Sequence, residues 1–125
     1  MIAADTSTWI AYLRGDDGDD VEALDAALSN RHVLMPPAVL TELLSDPRLD
    51  SNVADTLKDV PLVEIADGYW ERAGELRARV LAARRNARLG DALIAQSCID
   101  RAIPLLTRDR DFIVFTRAAG LDLIP

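Results

Sequence analysis

Four acidic residues stand at points of the chain where a carboxylate could take part in chemistry. Asp5 ends the short apolar run Ile2–Ala4, and Asp109 follows a second apolar run. Glu42 and Asp91 belong to segments with the periodicity of buried helices. In open α/β sheets, ligands bind outside the carboxyl ends of the strands, so acids gathered there are candidates for catalysis or metal binding.

Taken one at a time, most of these acids have a simpler structural interpretation. Asp5 and Asp91 can cap the helices that follow them. Asp109 and Asp111 can be turn residues or pair with the neighbouring arginines. Capping cannot explain Glu42, which falls on the apolar face of its helix. An acid on such a face is costly unless it is paired or binds a metal, so Glu42 favours a functional interpretation.

A divalent cation would explain the acids as a group. Carboxylates gathered at one sheet edge repel one another, and burial raises their pKa values. A bound cation relieves that repulsion, and ligands that are all oxygen favour Mg²⁺ or Mn²⁺. Such an ion can activate water and orient its attack on a phosphodiester. The sequence therefore predicts metal-dependent hydrolysis.

The length, net charge and residue counts of the chain disfavour several other functions. The chain has 125 residues and a formal net charge of −7, which argues against a general nucleic-acid coat. Cys98 is the only cysteine, so an internal disulfide is impossible and a cysteine-based zinc site is disfavoured. His32 is the only histidine, which disfavours RNA cleavage by a histidine acid–base pair and a serine triad. With no secretion signal and no apolar run near the ~20 residues that span a bilayer, we expect a cytoplasmic protein.

Short apolar strands alternate with helices along the whole chain. The predicted strands are 2–5, 32–35, 60–65, 103–107 and 121–124. The predicted helices are 8–13, 21–28, 38–44, 52–57, 69–85 and 92–99, with a short helix before the last strand. This alternation predicts an α/β fold with a central, mainly parallel five-stranded sheet flanked by helices on both faces. The length fits one domain, residues 1–125.

Four segments, in this order and at this spacing, resemble the motifs of PIN-domain ribonucleases and in particular the VapC toxins of bacterial toxin–antitoxin pairs. They are Asp5-Thr-Ser, Leu40-Thr-Glu42-Leu, Leu89-Gly-Asp91-Ala-Leu-Ile-Ala and Leu106-Thr-Arg-Asp109-Arg-Asp111-Phe. The resemblance covers essentially the whole chain. It implies a PIN fold with Mg²⁺- or Mn²⁺-dependent endoribonuclease activity on structured RNA such as tRNA or rRNA. It also implies a homodimer and a cognate VapB-type antitoxin that covers the acidic pocket.

The resemblance also implies roles for individual residues. The acidic quartet of the family is matched by Asp5, Glu42, Asp91 and Asp109. Asp111 falls where some members have a further acid, so the fourth ligand is either Asp109 or Asp111. Ser7 and Thr107 match small polar positions that line the site.

We expect the acids of that quartet to have different roles. Asp5 and Asp91 would hold the principal metal, and Glu42 would position or deprotonate the water. Asp109, or Asp111 in its place, would complete the shell or a second metal site. An arginine-rich helix precedes Asp91, and its residues Arg84, Arg85 and Arg88 would meet RNA phosphate, a solvated face or the antitoxin.

Two other functions fit parts of the pattern. A phosphoacceptor signalling domain also gathers aspartates at strand ends, but it needs a lysine near them, and Lys58 is the only lysine. A non-catalytic PIN-fold protein with a structural metal site would keep the acids without cleaving RNA. Phosphorylation by acetyl phosphate and the effect of metal removal on stability distinguish these functions from a ribonuclease.

Overall fold

Parallel pairing of short segments forms the centre of the protein. The computed structural model describes residues 1–125. Strands β1 (Ala3–Ala4) and β2 (Leu105–Leu106) pair in parallel, with Ala3 opposite Leu105. Three single parallel bridges extend this pair on both sides: they join Ile2 to Val33, Met35 to Leu62, and Leu105 to Leu123.

The predicted five-stranded sheet is therefore not confirmed, although all five predicted strand segments take part in parallel pairing. Only two segments form strands, and each strand has two residues. Proline limits the others, because it lacks the N–H that a ladder needs. Pro36 and Pro37 follow Met35 directly, and Pro61 precedes Leu62. Pairing beside these prolines is confined to single bridges.

Seven helices surround the paired segments. They are α1 (Thr6–Arg14), α2 (Asp19–Ser29), α3 (Pro37–Leu44), α4 (Ser51–Lys58), α5 (Tyr69–Ala82), α6 (Leu89–Asp100) and α7 (Ile113–Ala119). A single 3₁₀ turn, Arg110–Phe112, leads into α7. None of these helices is long and apolar enough to cross a membrane.

Helix α6 is the most deeply buried helix. Its buried residues include Ala92, Ile94, Ala95 and Cys98, which join the core together with Leu76 of α5. An apolar surface around most of a helix is typical of a helix packed on several sides. Cys98, the only cysteine, is buried in the core.

Three helix features differ from the sequence-based expectation. Helix α1 begins at Thr6, because Asp5 caps it by accepting a hydrogen bond from the Thr8 N–H. Helix α5 ends at Ala82, three residues early, and Arg84 then takes a left-handed conformation with φ of 58°. The interpretation of α3 as buried around most of its circumference is wrong: Val39 and Leu43 are buried, whereas Glu42 is exposed.

Candidate active site

Asp5 lies at the carboxyl end of β1 and is almost fully buried, with 3% of its surface exposed. The hydroxyls of Ser7 and Thr107 donate hydrogen bonds to its two carboxylate oxygens at 2.7 and 2.6 Å. Burial raises the pKa of Asp5 above its ordinary value, although these hydrogen bonds and the Thr8 N–H act in the opposite direction. Asp5 is thus both a helix cap and a buried acid.

The loop after β2 carries the next acid to Asp5. The hydroxyl of Thr107, which donates to Asp5, also accepts a hydrogen bond from the Asp109 N–H at 2.9 Å. Asp109 in turn caps the 3₁₀ turn by accepting from the Asp111 N–H at 2.8 Å. One hydroxyl therefore links the loop to the end of β1. Ser7 and Thr107, both predicted to line the site, lie in direct contact with Asp5.

Glu42 reaches the same region from α3. The hydroxyl of Thr6 donates a hydrogen bond of 2.7 Å to its carboxylate. The other carboxylate oxygen would lie 3.5 Å from a Cβ placed on Gly90, so Glu42 lies beside the backbone that immediately precedes Asp91. The sequence placed Glu42 near the other acids correctly but expected it to be buried; exposure lowers the cost of its charge.

Asp91 lies close enough to the other three acids of the quartet for their charges to act on it. Its pKa is raised to about 6, first by burial and then by the negative charges of Asp109, Glu42 and Asp5. It lies in the first turn of α6, where a helix dipole favours negative charge. Burial and repulsion both act against the ionised form of Asp91 at that position. The acids assigned to the quartet therefore share one electrostatic environment.

Asp111 has a different position from Asp109. The charge of Asp109 raises the pKa of both Asp5 and Asp91. Asp111 is exposed and lines a cavity of about 370 Å³ together with Asp91 and Arg88. This geometry favours Asp109 as the fourth acid and places Asp111 at the border of the site.

The donor atoms at this site are of the type that Mg²⁺ and Mn²⁺ prefer, since every acid offers only oxygen. The raised pKa values of Asp5 and Asp91, to which burial and the charge of Asp109 both contribute, also mark a place where a cation would be stabilised. No three of these acids converge closely enough to form a ready coordination shell. The residues thus fit a hard cation in chemistry, and side-chain movement would be needed to complete its coordination.

An ion pair that the sequence analysis missed holds the loop after β2 in place. We call this loop, which carries Asp109, the acidic loop. Arg108 donates hydrogen bonds of 2.7 and 3.1 Å to the carboxylate of Asp20 and a third of 2.5 Å to the Asp17 carbonyl. Burial acts to raise the pKa of Asp20, but hydrogen bonds from Arg108 and Thr8 outweigh it and the pKa is lowered. Arg108 therefore pairs with α2 rather than with its aspartate neighbours. Nothing in the local pattern signals a partner 88 residues away.

The three predicted RNA-binding arginines are all exposed. Arg88 occupies the N-cap position of α6 without a side-chain capping hydrogen bond. It lines the cavity next to Asp91 and acts to lower the pKa of that acid. Arg84 and Arg85 lie beyond the end of α5 and line a separate cavity of about 300 Å³ that also borders Asp111.

Comparison with known proteins identifies a family and a similar ribonuclease. The family description "PIN domain" matches residues 2–120 of this chain. Ribonuclease VapC5 of Mycobacterium tuberculosis is 29% identical over 127 residues, which cover 96% of this chain and 91% of that protein.

Solved structures share the fold. The VapBC-5 structure from Mycobacterium tuberculosis, a member of the VapBC family of toxin–antitoxin systems, matches with a TM-score of 0.69 and 24% identity, covering 98% of this chain and 96% of that one. FitAcB from Neisseria gonorrhoeae matches with a TM-score of 0.73 and 16% identity, covering 100% and 97%. The chain therefore belongs to the PIN-domain family, and it is similar to a VapC ribonuclease.

Proposed function

We propose that this protein is a metal-dependent endoribonuclease toxin that cleaves structured RNA, such as tRNA or rRNA, and is neutralised by a cognate antitoxin. Two contacts carry the proposal: Thr107 bonds both the Asp5 carboxylate and the Asp109 N–H, and Glu42 lies beside Gly90. Burial and the charges of these three acids raise the pKa of Asp91 to about 6. Such perturbed acids in one place are typical of catalytic sites. The curated relative is named a ribonuclease, which supports the same chemistry.

In this proposal Asp5, Asp91 and Asp109 hold Mg²⁺ or Mn²⁺, with Asp111 at the border. The bound cation would offset the charge of the acids and of the phosphodiester and make water a better nucleophile. Glu42, exposed and fixed by Thr6, would position that water and accept its proton. Thr107 and Ser7 would orient the carboxylate of Asp5. The reaction would form a P–O bond to the water oxygen and break the P–O bond to one of the two ribose oxygens, which leaves as a hydroxyl after taking a proton from solvent.

Cleavage through the 2′-hydroxyl of RNA is less well supported. That route needs a general base and a general acid, often histidines. His32, the only histidine, is exposed, and its carbonyl accepts from the N–H of Ile2 at the amino end of the central segment. Asp5 lies at the opposite end of that segment. A hydrolytic mechanism with carboxylates and a cation therefore fits better.

The partner proposals rest on the related structures and on the family resemblance. VapBC-5 is described as a member of a toxin–antitoxin family. We propose by analogy that a VapB-type antitoxin binds this chain, that its binding blocks the acids, and that the chain forms a homodimer.

The test uses purified, partner-free protein on total RNA with Mg²⁺ or Mn²⁺. Wild-type protein should release discrete fragments, and EDTA should abolish them. Asp5→Asn should lose cleavage, because it keeps the shape of the side chain but removes its charge. Asp55→Asn is the matched control, since Asp55 is exposed on α4 and its side chain makes no hydrogen bond. Cleavage that persists in Asp5→Asn would refute the assignment of the site.

One observation favours a second candidate, a non-catalytic PIN-fold protein with a structural metal. The quartet offers only oxygen donors, which suit a structural cation as well as a catalytic one. For that protein, Mn²⁺ would raise the melting temperature and Asp5→Asn would remove the increase, while no RNA would be cut.

A further inference from the structure

The arginine side chains of this protein fall into two groups, those with a partner and those without one. Arg72 and Arg108 form ion pairs with aspartates, and Arg77 and Arg101 donate to backbone carbonyls. The other nine form no ion pair and no side-chain hydrogen bond, and four of these nine lie together around one cavity of about 300 Å³. We call this cavity the basic groove, and its arginines are Arg84, Arg85, Arg110 and Arg117.

The basic groove adjoins the acids. Asp111 and Asn86 line both the groove and the neighbouring cavity that contains Asp91 and Arg88. On the far side, Arg85 and Arg117 also line a third cavity of about 370 Å³. The surface therefore runs continuously from Asp91, past Asp111, along the arginines.

Two turns of the chain build the groove from opposite sides. Arg84, with its left-handed backbone, turns the chain out of α5 and carries Arg85 to one wall. Arg110 begins the 3₁₀ turn, and Arg117 lies in the last turn of α7. The sequence analysis found the first wall and missed the second, because the two walls are distant in sequence.

The clustering of unpaired arginines is notable because the protein as a whole is acidic. The protein carries seven more acidic than basic residues, so carboxylate partners for arginine are plentiful. The four guanidiniums of the groove nevertheless stand together without a partner, which costs repulsion in the free protein. An arginine cluster of this kind suits bidentate binding of phosphate oxygens.

We propose that the basic groove holds the phosphodiester backbone of RNA on one side of the bond that is cut, with Arg110 and Arg117 as phosphate-binding residues in addition to Arg84 and Arg85. The proposal rests on the ribonuclease function proposed above. The acids repel a polyanion, so a substrate that reaches them must be held by positive charge beside them. Phosphate contacts of this type fix the register of the strand and do not read its sequence. They also explain how an acidic protein can bind nucleic acid.

The test measures binding separately from cleavage. Fluorescein-labelled bulk tRNA is titrated with Asp5→Asn protein, or with wild-type protein in EDTA, and anisotropy gives Kd at several salt concentrations. The groove variant is Arg110→Gln/Arg117→Gln. The matched control is Arg14→Gln/Arg48→Gln, which removes two exposed, unpaired arginines outside the groove. Melting temperatures check that both variants fold.

The groove variant should bind more weakly, and the slope of log Kd against log salt should fall by about 1.5–2, roughly one for each lost phosphate contact. The control should keep the wild-type slope. Equal slopes in the two variants, or no binding of tRNA even at low salt, would overturn the groove and point to a protein partner for these arginines.

Failure of the groove and failure of the ribonuclease proposal can be told apart. Protein that binds tRNA with the expected slopes but cuts no RNA refutes the nuclease and leaves the groove as an RNA-binding surface only. Protein that cuts RNA while the groove variant keeps the wild-type slope refutes only the groove.

Discussion

Replacing Asp91 with Asn should make the metal-free protein more stable while abolishing its proposed activity. The folded protein raises the pKa of Asp91 from 3.8 to about 6. Each pKa unit corresponds to about 1.4 kcal/mol, so the ionised side chain destabilises the fold by at most about 3 kcal/mol at neutral pH. Asp91 is only partly buried, and its charge gains about 0.3–1 kcal/mol from the start of α6. We therefore expect a net gain of about 1–2 kcal/mol for Asp91→Asn.

The stabilising effect of Asp91→Asn should depend on pH. Between pH 3.8 and about 6 the folded protein binds more protons than the unfolded chain, because the folded pKa of Asp91 is the higher one. The contribution of Asp91 to stability therefore falls as pH rises through that window and is constant above it. Asn does not titrate, so the advantage of Asp91→Asn should be largest at pH 7 and should shrink by about half or more at pH 4.5.

Urea denaturation in EDTA at pH 7 and pH 4.5 measures both effects as a change in the free energy of unfolding. Asp55→Asn, on exposed α4, is the control and should change little at either pH. Adding Mn²⁺ should then stabilise the wild type more than Asp91→Asn. A variant that is less stable than the wild type at pH 7, or a gain that does not change with pH, would refute the claim that repulsion among these acids raises the pKa of Asp91.

Three further predictions follow from individual contacts. Thr107→Val removes the 2.6 Å hydrogen bond to Asp5, so the pKa of Asp5 should rise further. The acid limb of the pH–activity profile should then move to higher pH. An unmoved limb would contradict a role of this hydrogen bond in setting the pKa of Asp5. Arg108→Gln breaks the pair with Asp20 and should loosen the acidic loop, so amide hydrogen exchange in that loop should rise. The variant should lower kcat more than it raises KM. Asp20→Asn should give the same loss of activity, and different effects of the two variants would disprove a shared role. Cys98 is buried with its pKa raised to about 12, so iodoacetamide should label it only in unfolded protein, and labelling of native protein would show that α6 opens.

Local signals predicted the parts of this fold that local physics controls. The apolar run before Asp5 predicted β1, the apolar periodicity of residues 92–99 predicted α6, and the order of the acids predicted that they meet at one end of the sheet. Sheet extent was overestimated, because apolar runs indicate buried extended segments but not whether prolines allow a continuous ladder. The burial of α3 was overestimated for a related reason: periodicity gives the inward face, and Glu42 lies where α3 meets the site rather than the core.

The features that escaped prediction are contacts between residues far apart in sequence. The pairing of Arg108 with Asp20 and the meeting of Arg85 with Arg117 depend on how loops and helices are arranged in three dimensions. Neither has a local pattern, because an arginine beside an aspartate in sequence is as consistent with a local ion pair as with a distant one.

The distribution of charge in this protein also shows why net charge is a poor guide to its function. The total of −7 argues against nucleic-acid binding when the charge is taken as uniform. In the structure, acids converge on Asp91, and unpaired arginines lie together on the adjoining surface that begins at Asp111. Each cluster repels itself in the free protein. A divalent cation would relieve the first and a phosphodiester backbone the second, so a metal-dependent nuclease accounts for both unfavourable arrangements with one substrate complex.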